Sequence, residues 1–153
     1  MALHLPDDLM HPSVFPHPAD HIACIETHIS WVILAGDYAY KIKKPVNFGF
    51  LDFHTLAQRR AACEDELRIN RRTAPQLYEA LVRIGDNPVA LDDDQQPAAE
   101  YAVRMQRFPQ SALLASVLER HDAPLQLMDA LAHHIADFHA QAERAGTTSA
   151  WGT

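Results

Sequence analysis

WVILAGDYAYKIKKPVNFGFLDFHTLAQRRAACEDELRINRR, residues 31–72, decides the fold. It reads as strand, tight turn, strand, loop and long helix. The apolar run 29–34 is rich in β-branched and aromatic residues, and Ala35-Gly36-Asp37 is a turn. Residues 38–44 then alternate. Ala39, Lys41 and Lys43 face one way; Tyr38, Tyr40, Ile42 and Lys44 face the other. A turn this short makes the two strands an antiparallel hairpin. Pro45 ends the second strand because it has no amide to donate. After an apolar loop with Gly49, Asp52 or Thr55 can cap a helix over 55–72 by accepting a free first-turn amide. Leu56, Cys63 and Leu67 lie near one stripe of that helix, with many charges elsewhere. Arg68, Arg71 and Arg72 sit in its last turns, where cations complement the helix dipole, and Pro75 bars continuation.

Outward from this stretch, Pro6, Pro12, Pro16 and Pro18 make residues 1–20 irregular, with room for one short helical turn, and residues 1–15 are set apart as an N-terminal arm. His4, His11, His17 and His21 have no ligand spacing and read as scattered loop histidines. Residues 22–25 form a short strand. Beyond the helix, 81–84 and 89–91 are strands around the turn Gly85-Asp86-Asn87-Pro88. Residues 92–97 are an acidic loop without a Ca²⁺-ligand register, and 100–108 is the last strand, broken by Pro109. Residues 111–121 and 125–145 are helical, with Leu127, Leu131, Ile135 and Phe138 at helical spacing. Strands with one inserted helix, followed by an all-helical tail, predict an α+β fold.

Composition narrows the classes. A chain of 153 residues that is 48% apolar and 22% charged suits one folded, soluble domain. A net charge of −7 disfavours nucleic-acid binding. No apolar stretch is long enough to span a membrane, and the N-terminus lacks the pattern of a signal peptide. Cys24 and Cys63 show no metal or redox spacing. A cytoplasmic location is expected.

The chemistry concentrates on two residue pairs. A lysine pair on one strand face is ordinarily a solvated edge. Here the strand is otherwise apolar, lies in a hairpin and precedes a helix that carries Glu64 and Glu66. Lys41, central in its strand, is the preferred phosphate contact, with Lys43 in reserve. Glu64 and Glu66 cannot both face the lysine, because i and i+2 point to different sides of a helix. Glu66, beside the apolar stripe, is preferred as the group that orients it. A strand lysine paired with a glutamate on the next helix is how protein kinases hold the α- and β-phosphates of ATP. His133, His134, Asp137 and His139 contain no HExxH pattern and read as structural.

The segment ETHISWVILAGDYAYKIKKPVNFGFLDF…RRAACEDELRINRRTAPQLY resembles the N-terminal part of the aminoglycoside phosphotransferase-like kinases. It is most similar to the bacterial subfamily in which such a domain precedes a P-loop ATP-binding domain. The likeness runs from about residue 16 to residue 151 and is densest over 26–78. It implies a kinase-like N-terminal lobe over 16–108, an antiparallel sheet plus one long helix. The hinge and the first helices of a truncated C-terminal lobe would follow over 109–153. By resemblance Lys41 matches the β3 lysine and Glu66 the helix-C glutamate. Backbone groups of Gln106 to Phe108 would hydrogen-bond adenine, with Met105 lining its pocket.

Two departures follow. Between the first two strands stands Glu26-Thr27-His28-Ile29-Ser30 in place of a glycine-rich loop, so Thr27 and Ser30 hydroxyls or loop amides would have to meet phosphate. No His-Gly-Asp or His-Arg-Asp followed by Asn occurs, nor a GxxxxGK[ST] motif. No catalytic residue is therefore expected within this chain, and the Mg²⁺ ligands are expected in the missing lobe. The expectation is the N-terminal portion of an ATP·Mg²⁺-dependent small-molecule kinase, inactive alone and prone to self-association through its open cleft face. The alternative is a non-catalytic nucleotide-binding or protein-interaction module.

Overall fold

Gly36 sets the geometry of the central hairpin. Its φ of +57° lies in the left-handed region, where a side chain would be strained. A Cβ there would also run into the carbonyl oxygen of Pro18. The computed structural model, which describes residues 3–93 and 95–144, builds a six-stranded sheet around this hairpin. The strands are β1 (Ile22–Glu26), β2 (Ser30–Ala35), β3 (Tyr38–Lys43), β4 (Tyr78–Asp86), β5 (Val89–Leu91) and β6 (Glu100–Gln106). Their order is β1-β2-β3-β6-β4-β5, with every pairing antiparallel. The helix α1 (Leu56–Asn70) packs on β6 and β4. The fold is α+β.

Residues paired across an antiparallel ladder point to the same face. Val32, Lys41 and Val103 form one such row, and Leu34, Ala39 and Met105 the next. This is the face that α1 covers, where Cys63 and Leu67 pack with Val103, Tyr78, Leu81, Tyr101 and Met105. The opposite face holds the larger core, including Ile33, Ala35, Tyr40, Ile42, Val82, Ile84 and Ala102.

The arm covers that opposite face. Irregular as its prolines predict, it is nonetheless packed. Its residues form two 3₁₀ turns, Asp7–Leu9 and Pro12–Val14, and Leu9, Val14, Phe15 and Ala19 are buried in the main core. His17, expected as a scattered loop histidine, is fixed as well. Its Nε2 lies 2.7 Å from the Tyr40 hydroxyl and its Nδ1 2.9 Å from the Pro18 carbonyl oxygen. The ring packs against Tyr38, Tyr40 and Phe15. The prolines predicted the absence of regular structure correctly but carried no information about burial.

Several boundaries differ by local causes. β4 begins at Tyr78 rather than Leu81, because pairing with β6 continues through an irregularity at Tyr78/Ala80. β6 stops at Gln106, since the Arg107 amide turns to the Asp37 carbonyl. Thr55 caps α1 in a capping box with Gln58, while Asp52 accepts from the His54 amide in the preceding turn.

The chain divides into two compact units between Phe108 and Pro109. The second contains a 3₁₀ turn (Gln110–Ala112), α2 (Leu114–Glu119) and α3 (Leu125–Gln141), shorter helices than the expected 111–121 and 125–145. No residue of α2 or α3 is buried, and Leu127, Leu131 and Ile135 are exposed. Asp94, Ala145 and Trp151, which the sequence reading includes, lie outside the described residues. Among the described residues, no helix is long and apolar enough to cross a membrane.

Candidate functional site: a glutamate shared by two lysines

β3 and α1 bring three charges together under the sheet. Period-2 alternation puts Lys41 and Lys43 on the α1 face, and the helix turns Glu66 towards them. Lys41 Nζ lies 2.8 Å from Glu66 Oε1, and Lys43 Nζ donates to Oε2 of the same carboxylate. Both lysine candidates therefore meet the preferred glutamate. Glu64 is on the exposed side of α1 and pairs with Arg60.

The two lysines are not equivalent. The Lys43 side chain is 6% exposed and Glu66 10%, whereas Lys41 is 29% exposed. Lys43 also sits 5.6 Å from the centroid of the Phe53 ring. Burial alone would push the Glu66 carboxyl up. Hydrogen bonds from Lys41 and Lys43, with their positive charge, outweigh it and hold the pKa below the usual carboxylate value. The Asn70 amide Nδ2 donates to the Glu66 backbone carbonyl oxygen at 2.9 Å and fixes that turn of the helix.

Beside Lys41 the face is apolar. Its neighbours Val32, Leu34 and Met105 are half-buried and Ala39 is buried. Cys63 lies deeper, and burial pushes its thiol up to about 12, so it is an inert core group.

The last strand is more committed than expected. The Gln106 amide donates to Leu77 O at 2.9 Å, and the Arg107 amide to Asp37 O at 2.8 Å. The Gln106 side chain donates to Glu79. A ligand edge docking at Gln106–Phe108 would therefore take its backbone donor from Phe108. Met105 contributes to the α1-side cluster.

The β1–β2 turn does not offer the hydroxyls assigned to it. Thr27 Oγ1 donates to Ser30 O at 3.0 Å and accepts from the Ser30 amide at 2.9 Å. Ser30 is fully buried, and its Oγ has no hydrogen-bond partner. A fully buried side chain does not reach an external phosphate, so the Ser30 assignment is withdrawn.

A second buried ion pair escaped the sequence reading. Arg59 Nε donates to Glu100 Oε2 at 2.7 Å, and Arg59 Nη1 donates to the carbonyls of Phe53 and His54 at 3.0 and 2.9 Å. Burial pushes the Glu100 carboxyl up, with the Tyr101 amide and Arg59 pulling it partly back. The available signal was position. Arg59 stands four residues before Cys63, which stands four before Leu67, so it occupies the buried stripe. Among the described residues, no group of three or more His, Cys, Asp or Glu is arranged to hold a metal ion.

No family model and no solved structure matches the chain. It is 39% identical over 119 residues to an uncharacterized protein of Mycobacterium bovis and to uncharacterized proteins from two strains of Mycobacterium tuberculosis. The matched stretch is 78% of this chain and 22% of each relative. The chain thus spans about a fifth of the length of these relatives.

Proposed function

We propose that the chain is the N-terminal, nucleotide-holding portion of an aminoglycoside phosphotransferase-like kinase that acts on a small-molecule hydroxyl. The observation that carries this reading is the Lys41–Glu66 ion pair between β3 and the following helix. Burying charge is expensive, and well-packed apolar side chains would hold the helix as firmly. A partly exposed lysine oriented by a buried carboxylate instead suits the reversible holding of a phosphate chain.

Lys41 would contact the α- and β-phosphates, and Val32, Leu34, Ala39 and Met105 would form the apolar floor under the base. ATP supplies the transferable phosphoryl group. The sequence contains no His-Gly-Asp-type base or accompanying Asn, so the chain by itself positions nucleotide without transferring phosphate. On the same reading, Mg²⁺ would be held by residues of the C-terminal lobe that the resemblance implies.

A second reading, a non-catalytic module that binds nucleotide or a protein partner, is favoured by the exposed Leu127, Leu131 and Ile135 of α3. Calorimetric titration of the full chain with ADP tests the first reading. The expected outcome is a dissociation constant on the order of 0.1–1 mM, weakened at least about tenfold by Lys41→Ala. Binding that survives Lys41→Ala overturns the phosphate assignment and leaves the second reading standing.

A further inference from the structure

An open sheet has two edges, and this one protects only one of them. β5 has three residues and runs into the acidic loop, where Asp92 takes a left-handed φ of +56°. So short an edge beside charge gives another strand little to pair with. β1 has five residues, Ile-Ala-Cys-Ile-Glu, with neither proline nor lysine among them. Its Ala23, Ile25 and Glu26 side chains are exposed, Ile25 by 39%.

Hydrogen-bond parity decides which backbone groups β1 leaves over. The Thr27 amide donates to Ser30 O at 2.9 Å, so Thr27 turns its backbone towards β2. Successive residues of a strand turn their amides and carbonyls to opposite sides. Ala23 and Ile25 therefore bond to β2 as Thr27 does, and Ile22, Cys24 and Glu26 aim their backbone groups away from it. Among the described residues, no other segment offers these outward groups a backbone partner.

We propose that β1 is a self-pairing edge, through which two copies of this chain join antiparallel about a two-fold axis at Cys24. The outward residues Ile22, Cys24 and Glu26 are spaced symmetrically about Cys24, as an isologous pairing requires. Cys24 of one copy faces Cys24 of the other, and Ile22 of each faces Glu26 of the other. Each of these pairs exchanges two backbone bonds. Between them, Ala23 of one copy faces Ile25 of the other, on the side of the sheet that carries Val32 and Leu34. The charges suit this register. The two Glu26 carboxylates lie at opposite ends of the new ladder, each held by Lys44 of its own copy. Beyond the strand ends, exposed Asp20 of one copy comes beside exposed His28 of the other. A foreign strand has no need of a symmetric centre, so the spacing favours a second copy. The inference uses β1 alone and is independent of the nucleotide reading.

Proline tests the parity directly. The Cys24 amide serves no bond within its own sheet, so Cys24→Pro removes the central bonds of the dimer and spares the monomer's ladder. Sedimentation equilibrium of the full chain is expected to show a reversible dimer with a dissociation constant on the order of 10 µM. Cys24→Ala, which keeps the amide, should stay within about threefold of that value, and Cys24→Pro should weaken it at least about tenfold. A second measurement reads the register and does not depend on Cys24→Pro folding. In a Cys24→Ser background, chains with Ala23→Cys and with Ile25→Cys are mixed and oxidised; Cys63 is fully buried and stays out of the reaction. The new thiols stand directly opposite each other only between unlike chains, so the mixed disulfide dimer should exceed either like dimer by at least about fivefold.

A chain that stays monomeric up to about 500 µM overturns the inference and leaves the edge to a strand of another protein. A Cys24→Pro variant that dimerises like the native chain overturns it as well. Like chains that crosslink as readily as unlike ones do the same, since the copies then meet in another register or through another surface.

Discussion

The two faces of the sheet are built on opposite principles. One is covered by the N-terminal arm and has a mainly apolar core: Leu9, Val14 and Phe15 pack onto Ile33, Tyr40, Ile42 and Ile84. The other is covered by α1, has a smaller buried apolar cluster of Cys63, Leu67 and Val103 beside Ala39, and encloses Lys43 and Glu66 in an ion pair, while Arg59 of α1 pairs with the buried Glu100 at the start of β6. Apolar burial is stabilising whatever the detailed geometry. Buried charges are tolerated only when each keeps its partner. The arm face supplies stability, and the helix face carries the candidate chemistry.

Three experiments would break or sharpen this contrast. The largest effect is expected from Arg59→Ala, which leaves the Glu100 carboxylate, 6% exposed, without its cation and frees two backbone carbonyls. Urea unfolding should show a loss of ~3–5 kcal/mol with an unchanged slope. A loss below ~1 kcal/mol would place the pair among ordinary surface ion pairs and erase the contrast.

Leu9→Ala comes next. Leu9 is completely buried although it belongs to a proline-rich arm. The expected loss is about 3 kcal/mol, the usual range for a leucine truncated within a core. A variant as stable as the native protein would mean that the arm merely rests on the sheet.

The smallest effect is in pH dependence. The folded pKa of Glu66 lies below its unfolded value near ~4.3. Its contribution is therefore fully present above the unfolded value and lost as pH falls through the folded one. Glu100, whose folded pKa is raised, contributes in the opposite sense, and its share is lost as pH rises through the folded value. Glu66→Gln should flatten the acid limb of a melting-temperature profile, whereas Glu100→Gln should not. Parallel profiles for Glu66→Gln and the native protein would show that the lysines do not hold that carboxylate ionised.

Much of this architecture was legible in advance because it is local. The hairpin at Gly36, a cap at either Asp52 or Thr55, the alternation that puts Lys41 and Lys43 on one face and the choice of Glu66 over Glu64 follow from periodicity and turn chemistry. The reading fell short where only chemical type was weighed. Arg59 was not singled out although it stood on the buried stripe, and Ser30 was offered to a phosphate although it is fully buried.

By itself, then, the sequence determined which segments become strands or helix and which face each residue presents, since both depend on dihedral preferences over a few neighbours. Only the tertiary structure decided that the proline-rich arm closes the apolar face, that Arg59 meets Glu100 across 41 positions, and that two lysines share one glutamate. Those facts are pairings between distant segments, and periodicity names the face of a residue without naming what will lie against it.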